Sequence, residues 1–233
     1  MENARAKGGE QSERTEKPRA DRPYRRAFFL RRMRGRREDA AALQELWKYR
    51  PKVRWAQERV LDSIPYAVAG GVATRLYMPE RTTADIDILV EPENLDAALV
   101  ELSAKGYTRV PRPLGFADTR LGLIRRRVLG RQPVCILSSN QPWVHEAIAS
   151  VRHDDIGLPI VDLPYLVALK LDASRGVDQG DLTRMLGFAS DADLHRTRVV
   201  IARLLPADAD DLEQYIEIGR FEVGNDGTSP KAY

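Results

Sequence analysis

The sequence predicts an α+β protein with a mixed sheet flanked by helices and a helical C-terminal part. One reason is a set of short apolar runs, rich in β-branched residues, that lie before residue 140. A second is the helix between two of these runs, where apolar residues follow the i, i+3, i+4, i+7 spacing at Leu95, Ala98, Leu99 and Leu102. A third is that helical patterns alone follow one another after residue 160.

Each element has its own local signal. Gly106 is a suitable residue to end the helix predicted over 92–107. Asp162 is placed to cap the helix predicted over 163–174, and Pro164 is tolerated in its first turn. A turn at 129–131 separates two strands. The predicted strands are 66–71, 83–91, 120–128 and 133–139, and the other helical segments are 39–63, 72–78, 180–189, 191–205 and 208–219.

These elements predict four segments along the chain. Residues 1–38 are a basic, disordered leader, 39–150 the α+β core, 151–222 the helical part and 223–233 a disordered tail. Residues 1–40 hold thirteen Lys or Arg against seven Asp or Glu, a net charge of +6, whereas the rest carries −3. A solvated leader, with Met33 as an alternative start, is favoured over an arm that contacts nucleic-acid phosphate.

Composition also narrows the class of protein. The single cysteine, Cys135, excludes an internal disulfide and suits a reducing compartment. No apolar stretch is long enough to span a bilayer, and no long apolar segment follows the basic N-terminal residues as a secretory signal requires. We therefore expect a cytoplasmic protein with no membrane partner.

The first candidate site is a pair of aspartates, Asp85 and Asp87, inside an apolar run. In a strand they share one face, roughly 6–7 Å apart. Two neighbouring carboxylates repel each other, and a divalent cation such as Mg²⁺ or Mn²⁺ between them removes the repulsion. The alternative is the solvated polar face of an edge strand. On the first interpretation Asp85 and Asp87 are metal ligands.

A glycine pair, Gly70 and Gly71, stands between a predicted strand and a predicted helix. Glycine lets a phosphate approach the backbone, and a helix N-terminus supplies free N–H groups. The alternative is a tight turn that needs glycine. Together with the aspartates, the glycine pair predicts a phosphate-binding turn and a metal-binding pair of carboxylates within one βαβ-sized unit.

The stretch GGVATRLYMPERTTADIDILV resembles the signature of the nucleotidyltransferase (DNA polymerase β-like) superfamily. The pattern GG-x-A followed by R-x-T-x-D-I-D is most similar to the AbiEii/MenT-type branch, bacterial nucleotidyltransferases that include toxins of toxin–antitoxin and phage-defence systems. The resemblance covers residues 66–186. It implies a nucleotidyltransferase-like fold and transfer of a nucleoside monophosphate from an NTP to an acceptor hydroxyl. The acceptor that the resemblance implies is a tRNA 3′ end or a protein side chain, and the implied partner is an antitoxin protein.

A second match is L-x-x-L-K followed by D-x-x-D, which here gives Lys170, Asp178 and Asp181. The resemblance implies that Lys170 and Asp181 are catalytic and that Lys170 binds the triphosphate. The alternative for Lys170 is a stem lying over the edge of the core. Asp178 and Asp181 cap the next helix, orient Lys170, or do both. Arg81 is a further candidate for contact with phosphate, against the ordinary alternative of an exposed arginine in a loop.

The chain departs from the superfamily pattern at one place. A third carboxylate usually lies on a neighbouring strand, and Cys135 occupies the matching position here, with Asp118 as a candidate substitute. A small-molecule nucleotidyltransferase, a non-catalytic nucleotide-binding module and a protein-interaction partner therefore stay open as alternatives. A basic cluster lies on one predicted hairpin, where it either contacts RNA phosphate or solvates the sheet: Arg125, Arg126, Arg127 and Arg131.

Overall fold

The structure, a computed structural model, describes residues 59–79, 81, 83–110 and 119–225, with only the backbone of Asn225. All of them belong to the second of the two units into which the chain divides, Arg54–Tyr233. The predicted leader 1–38, residues 226–233 of the predicted tail and most of the predicted helix 39–63 lie outside the described residues. Residues 59–63 are described and are not helical.

Within the described residues, seven strands form one mixed sheet in the order β3-β4-β5-β2-β1-β7-β6. The β2–β5 and β1–β7 pairs are parallel, and the other neighbours are antiparallel. The strands are β1 (Ala67–Ala69), β2 (Ile86–Leu89), β3 (Thr108–Arg109), β4 (Ile124–Leu129), β5 (Val134–Ser138), β6 (Arg152–His153) and β7 (Pro159–Ile160).

Along the chain, the described residues also form helices between the strands. The four longest helices follow one another at the C-terminal end of the described part. The predicted α+β class, with a mixed sheet flanked by helices and a helical C-terminal part, is confirmed. The helices are α1 (Gly70–Ala73), α2 (Leu95–Ala104), α3 (Trp143–Ala149), α4 (Leu163–Ala173), α5 (Gly176–Phe188), α6 (Asp191–Leu204) and α7 (Ala209–Asn225), with 3-10 turns at Thr74–Leu76, Pro92–Asn94 and Pro206–Asp208.

The apolar runs form the centre of the sheet because both of its faces are covered there. Val68, Ile88 and Ile136 lie side by side on neighbouring strands, and all three are fully buried. They belong to one core with Ala98 and Leu102 of α2, two of the residues that predicted this helix from its spacing. The apolar pattern is therefore the direct cause of the β1–β2–β5 centre.

Two predicted helix ends are confirmed in detail. The Asp162 carboxylate accepts a hydrogen bond from the backbone N–H of Leu163 at 2.9 Å, and Pro164 lies in the first turn of α4. Gly106 follows α2 with a φ of +84°, in the left-handed region that favours glycine.

Three of the differences from the predicted boundaries affect the sheet, the aspartates and the C-terminal helix. β6 and β7 join the sheet within the segment predicted to be helical, since Ile160 pairs with Val68 of β1. Strands of two residues carry no detectable alternation, so the sequence offered no signal for them. β2 begins at Ile86 and not at residue 83, so Asp85 immediately precedes the strand. The last helix, α7, continues through Asn225, beyond the predicted end at residue 219.

The helical part is held together by close backbone contact between α5 and α7. A Cβ atom on Gly219 would lie 2.1 Å from the carbonyl oxygen of Thr183, and one on Gly187 would lie 2.5 Å from the carbonyl oxygen of Gly219. The two helices can approach this closely only because glycine stands at both crossing positions.

We predict that Gly219→Ala destabilises the protein by at least about 1–3 kcal/mol, because the new methyl group must push α7 away from α5. Gly180→Ala is the matched control, since it lies in α5 and a Cβ there meets nothing within 4 Å. It should stabilise by roughly 0.5–1 kcal/mol through helix propensity. Chemical denaturation measures both, and equal stability of the two variants would contradict the packing described.

Candidate functional site

The sheet register places Asp87 in one row with residues of three other strands. Ala69 of β1 lies opposite Asp87 of β2, Asp87 opposite Cys135 of β5, and Cys135 opposite Arg127 of β4. Residues in register on neighbouring strands point to the same face of a sheet. Asp87, Cys135 and Arg127 therefore share one face, which we call the aspartate face.

Gly70 is packed directly against Asp87. Gly70 has a φ of +61°, and a Cβ atom on it would lie 1.8 Å from the Oδ2 atom of Asp87. Both glycines belong to the first turn of α1 rather than preceding it. At Gly71 a Cβ would lie 2.7 Å from the Thr83 hydroxyl and 3.1 Å from an Arg81 guanidinium nitrogen. The absence of side chains at the two glycines thus lets Asp87, Thr83 and Arg81 contact the backbone of the turn.

Burial raises the pKa of Asp87 above its ordinary value, and the negative charge of Asp85 raises it further. The positive charges of Arg125 and Arg175 act in the opposite direction, as does a hydrogen bond with the Cys135 thiol. A cation between the two carboxylates would remove the repulsion, which is the property expected of a metal-holding pair.

The donor atoms fit a hard divalent cation that is held partly by its substrate. Across the described residues, no group of three or more His, Cys, Asp or Glu side chains is placed to hold a metal ion. Mg²⁺ is commonly held by one or two carboxylates together with substrate phosphates. Asp85 and Asp87 could supply such a pair.

Cys135 lies where the missing third carboxylate was expected. Its strand is parallel to β2, and it pairs in register with Asp87. Burial, followed by the charge of Asp87, raises the pKa of the Cys135 thiol to about 12. The side chain is therefore a neutral thiol next to a carboxylate and supplies no third acid. Asp118, the candidate substitute, lies outside the described residues.

Lys170 is buried and bound by two aspartates. Its Nζ atom lies 2.6 Å from Asp181 Oδ2 and 3.3 Å from Asp178 Oδ1, and the side chain is 3% exposed. The stem does not extend over the edge of the core to solvent, because α4 is buried on all sides from Leu163 to Leu171. In this arrangement the ammonium faces Asp178 and Asp181, so the two aspartates orient it.

The two aspartates connect Lys170 to an arginine on each side. The Arg81 guanidinium donates two hydrogen bonds of 2.7 Å to Asp181. The Arg175 guanidinium donates to Asp178 at 2.7 Å and 3.2 Å, and Asp178 also accepts from the Arg175 backbone at the start of α5. Although burial alone would raise it, Arg175 and Lys170 hold the pKa of Asp178 below its ordinary value. We call these five residues the ion-pair chain.

The sequence analysis missed Arg175, and it assigned no role to Thr83, the threonine of the R-x-T-x-D-I-D pattern. The charges of Asp87 and Asp85 act on Arg175, whose guanidinium is half exposed at the α4–α5 connection. One signal was available, because Arg175 and Asp178 have the spacing of the first residues of a helix. The contact of Thr83 with the glycine turn depends on a loop that sequence patterns do not position.

No protein-family model matches the chain, and no curated protein is significantly similar to it. Within the described residues, no helix has both the length and the apolar character needed to cross a bilayer. The structure places all seven predicted site residues within its described part: Gly70, Gly71, Arg81, Asp85, Asp87, Lys170 and Asp181.

Gly70→Ala should displace the Asp87 carboxylate and destabilise the protein by more than the left-handed strain of about 1–2 kcal/mol. The matched control is Gly157→Ala, which has a φ of +78° but meets nothing within 4 Å of its Cβ. The control should show the strain alone. Thermal melts of both variants measure the difference, and equal losses would show that the Gly70–Asp87 contact is not tight.

Asp87→Asn should raise the melting temperature at neutral pH. The folded protein holds the proton of Asp87 at pH values where the unfolded chain has lost it, so wild-type stability falls as pH rises from roughly 4, the ordinary carboxyl pKa, through the raised one. The advantage of the variant should therefore vanish near that lower pH. Melts across this range check it, with the exposed Asp155→Asn as control. A pH-independent difference would contradict the raised pKa of Asp87.

Lys170→Ala should destabilise the protein by about 3–5 kcal/mol, because two buried carboxylates lose their shared partner. Lys105→Ala is the control, since Lys105 also pairs with two carboxylates, Asp62 at 3.0 Å and Glu101 at 3.1 Å, but is 30% exposed. It should cost about 1 kcal/mol or less. Urea denaturation compares them. A stable Lys170→Ala protein that has lost nucleotide use would instead support a direct contact with triphosphate.

Proposed function

We propose that the protein is a metal-dependent nucleotidyltransferase that moves a nucleoside monophosphate from an NTP to an acceptor hydroxyl. The observation that carries the proposal is the Asp85–Asp87 pair: the Asp87 carboxylate packs on the glycine turn, and burial, followed by the charge of Asp85, raises its pKa. The resemblance to the AbiEii/MenT-type branch supports the same activity and adds a toxin role.

Cations surround this pair in the way that a polyphosphate substrate requires. The positive charges of Arg125 and Arg175 act on Asp87, and Arg81 reaches the glycine turn at Gly71. The ion-pair chain contains three cations and two anions, so it carries a net positive charge next to the carboxylates. Such a site attracts a triphosphate and holds it near the aspartates.

In the proposed reaction, the acceptor oxygen forms a bond to the α-phosphorus of the NTP. The bond from that phosphorus to the bridging oxygen of the β-phosphate breaks, and pyrophosphate leaves with the electron pair. A divalent cation held by Asp85 and Asp87 supplies charge stabilisation when bound. Arg175 and Arg81 orient the phosphates. Because Cys135 holds its proton strongly, the hydroxyl proton passes to solvent.

One observation favours a second candidate, a nucleotide-binding module without catalysis. The position in register with Asp87 holds a neutral thiol in place of a carboxylate, so the described residues supply no third acid there. Such a module would bind Mg²⁺–NTP through the same residues but release no pyrophosphate. A small-molecule acceptor, as for antibiotic-modifying nucleotidyltransferases, is separated from tRNA by the choice of acceptor in the assay.

The purified protein, incubated with each α-labelled NTP, Mg²⁺ or Mn²⁺ and total tRNA, should transfer label and release pyrophosphate. Asp85→Ala and Asp87→Ala should each abolish transfer without loss of the fold, because each removes half of the metal-holding pair. Asp155→Ala is a matched carboxylate control on the exposed β6–β7 turn. Transfer that survives in both site variants would refute the site assignment, whereas NTP binding without pyrophosphate release would support the module.

The toxin role has a separate readout in cells. Induced expression in a bacterial host should arrest growth, and Asp87→Asn should relieve the arrest at equal protein level. A neighbouring gene whose product restores growth would be the expected antitoxin. Growth that continues with active enzyme present would contradict the toxin role and leave the transferase activity in place.

A further inference from the structure

Strand β4 carries three successive arginines that the sheet separates by face. Arg127 lies in register with Cys135, and through it with Asp87, so it lies on the aspartate face. Arg126 lies in register with Ile136 and Ile88 on the opposite face. Arg125, two residues from Arg127, returns to the aspartate face.

Arg127 is incompletely paired within the described part of the chain. Its Nε atom is buried and has no hydrogen-bond partner there, and the side chain makes no ion pair with the described residues. Burying a guanidinium N–H without an acceptor is costly, and folded proteins rarely leave one unpaired. An anion that is bound at this point would satisfy it.

Arg125 adds positive charge to the same place. It lowers the pKa values of both Asp87 and Cys135, so its charge lies within electrostatic range of the pair. Arg127 stands two strand spacings from Asp87, about 10 Å between the backbones. A long arginine side chain covers much of that distance.

We infer that Arg127, together with Arg125, forms a phosphate-binding subsite on β4 beside the Asp85–Asp87 pair. The inference rests on the proposed function for its class of ligand. The planar guanidinium matches a phosphate group with two parallel hydrogen bonds, which a lysine cannot do. The phosphate comes either from the triphosphate of the NTP or from the backbone of a polynucleotide acceptor.

The test measures binding without chemistry, using the full chain. The probes are inorganic tripolyphosphate with Mg²⁺, followed by calorimetry, and a short fluorescent single-stranded RNA, followed by anisotropy at several salt concentrations. Arg127→Gln and Arg125→Gln remove one charge each on the aspartate face. Arg126→Gln removes the same charge from the other face of the same strand, and Arg131→Gln removes it from the exposed turn.

Arg127→Gln should weaken binding of one probe by about tenfold or more, since charge-assisted hydrogen bonds are lost. Loss with tripolyphosphate assigns the subsite to the NTP. Loss with RNA alone, with a salt slope smaller by about 0.7, assigns it to the acceptor backbone. Arg126→Gln should bind both probes as wild type does. Equal affinities of Arg127→Gln and Arg126→Gln for both probes would overturn the inference.

Melting temperature separates binding from a structural role. Arg127→Gln should melt at or above the wild-type temperature, because it removes a buried N–H that lacks an acceptor. A lower melting temperature with unchanged probe affinity would show that the arginine only supports the sheet, and would overturn the subsite. If phosphate binding depends on Arg127 while the wild-type protein transfers no label from any NTP, the proposed function fails and the subsite does not.

Discussion

The close packing of the Asp87 carboxylate against Gly70 is the contact on which the rest of the site depends. The antiparallel register of β1 and β2 puts the end of β1 opposite Asp87, so the chain must turn beside the carboxylate. A φ of +61° at Gly70 makes that turn and leaves no room for a side chain. The following turn of helix then brings Gly71 against Thr83 and Arg81. One backbone conformation therefore connects the strand, the turn and the loop that returns to Asp85.

Charge is the second constraint, because a partly buried carboxylate beside another is unfavourable unless cations offset it. The protein places arginines on three elements near the pair: Arg125 on β4, Arg175 at the start of α5 and Arg81 in the loop before β2. Two of them are anchored through Asp178 and Asp181 to the buried Lys170. The helical part thus contributes to the site because its Asp178 and Asp181 hold Arg175 and Arg81 in position.

The thiol of Cys135 does not give the site the capacity to accept a proton that a carboxylate at this position would give. A carboxylate there would add a metal ligand and a base, whereas a thiol with a pKa of about 12 is neither at neutral pH. The same neutrality reduces repulsion next to Asp87, since a third carboxylate would raise the pKa of Asp87 further. Compared with a carboxylate, a thiol at this position therefore gives less acid–base capacity and less electrostatic repulsion in the row that contains Asp87, Cys135 and Arg127.

The sequence by itself determined the fold class, the central strands and the helix caps. Apolar runs marked Ile88 and Ile136, apolar periodicity marked Leu102, and local capping chemistry marked Asp162 and Gly106, because these signals depend on neighbours along the chain. It also singled out Asp87 and Cys135 as residues of one site, through spacing and resemblance.

Only the tertiary structure decided what each side chain contacts. The sequence could not show that Lys170 is buried between Asp178 and Asp181, that Arg81 reaches Asp181 across one hundred positions, or that β7 pairs with β1. Ion pairs between distant segments and two-residue strands leave no periodic pattern, since their partners are set by how the helices pack on the sheet. The face on which Arg127 lies required the register of three strands, which local spacing does not specify.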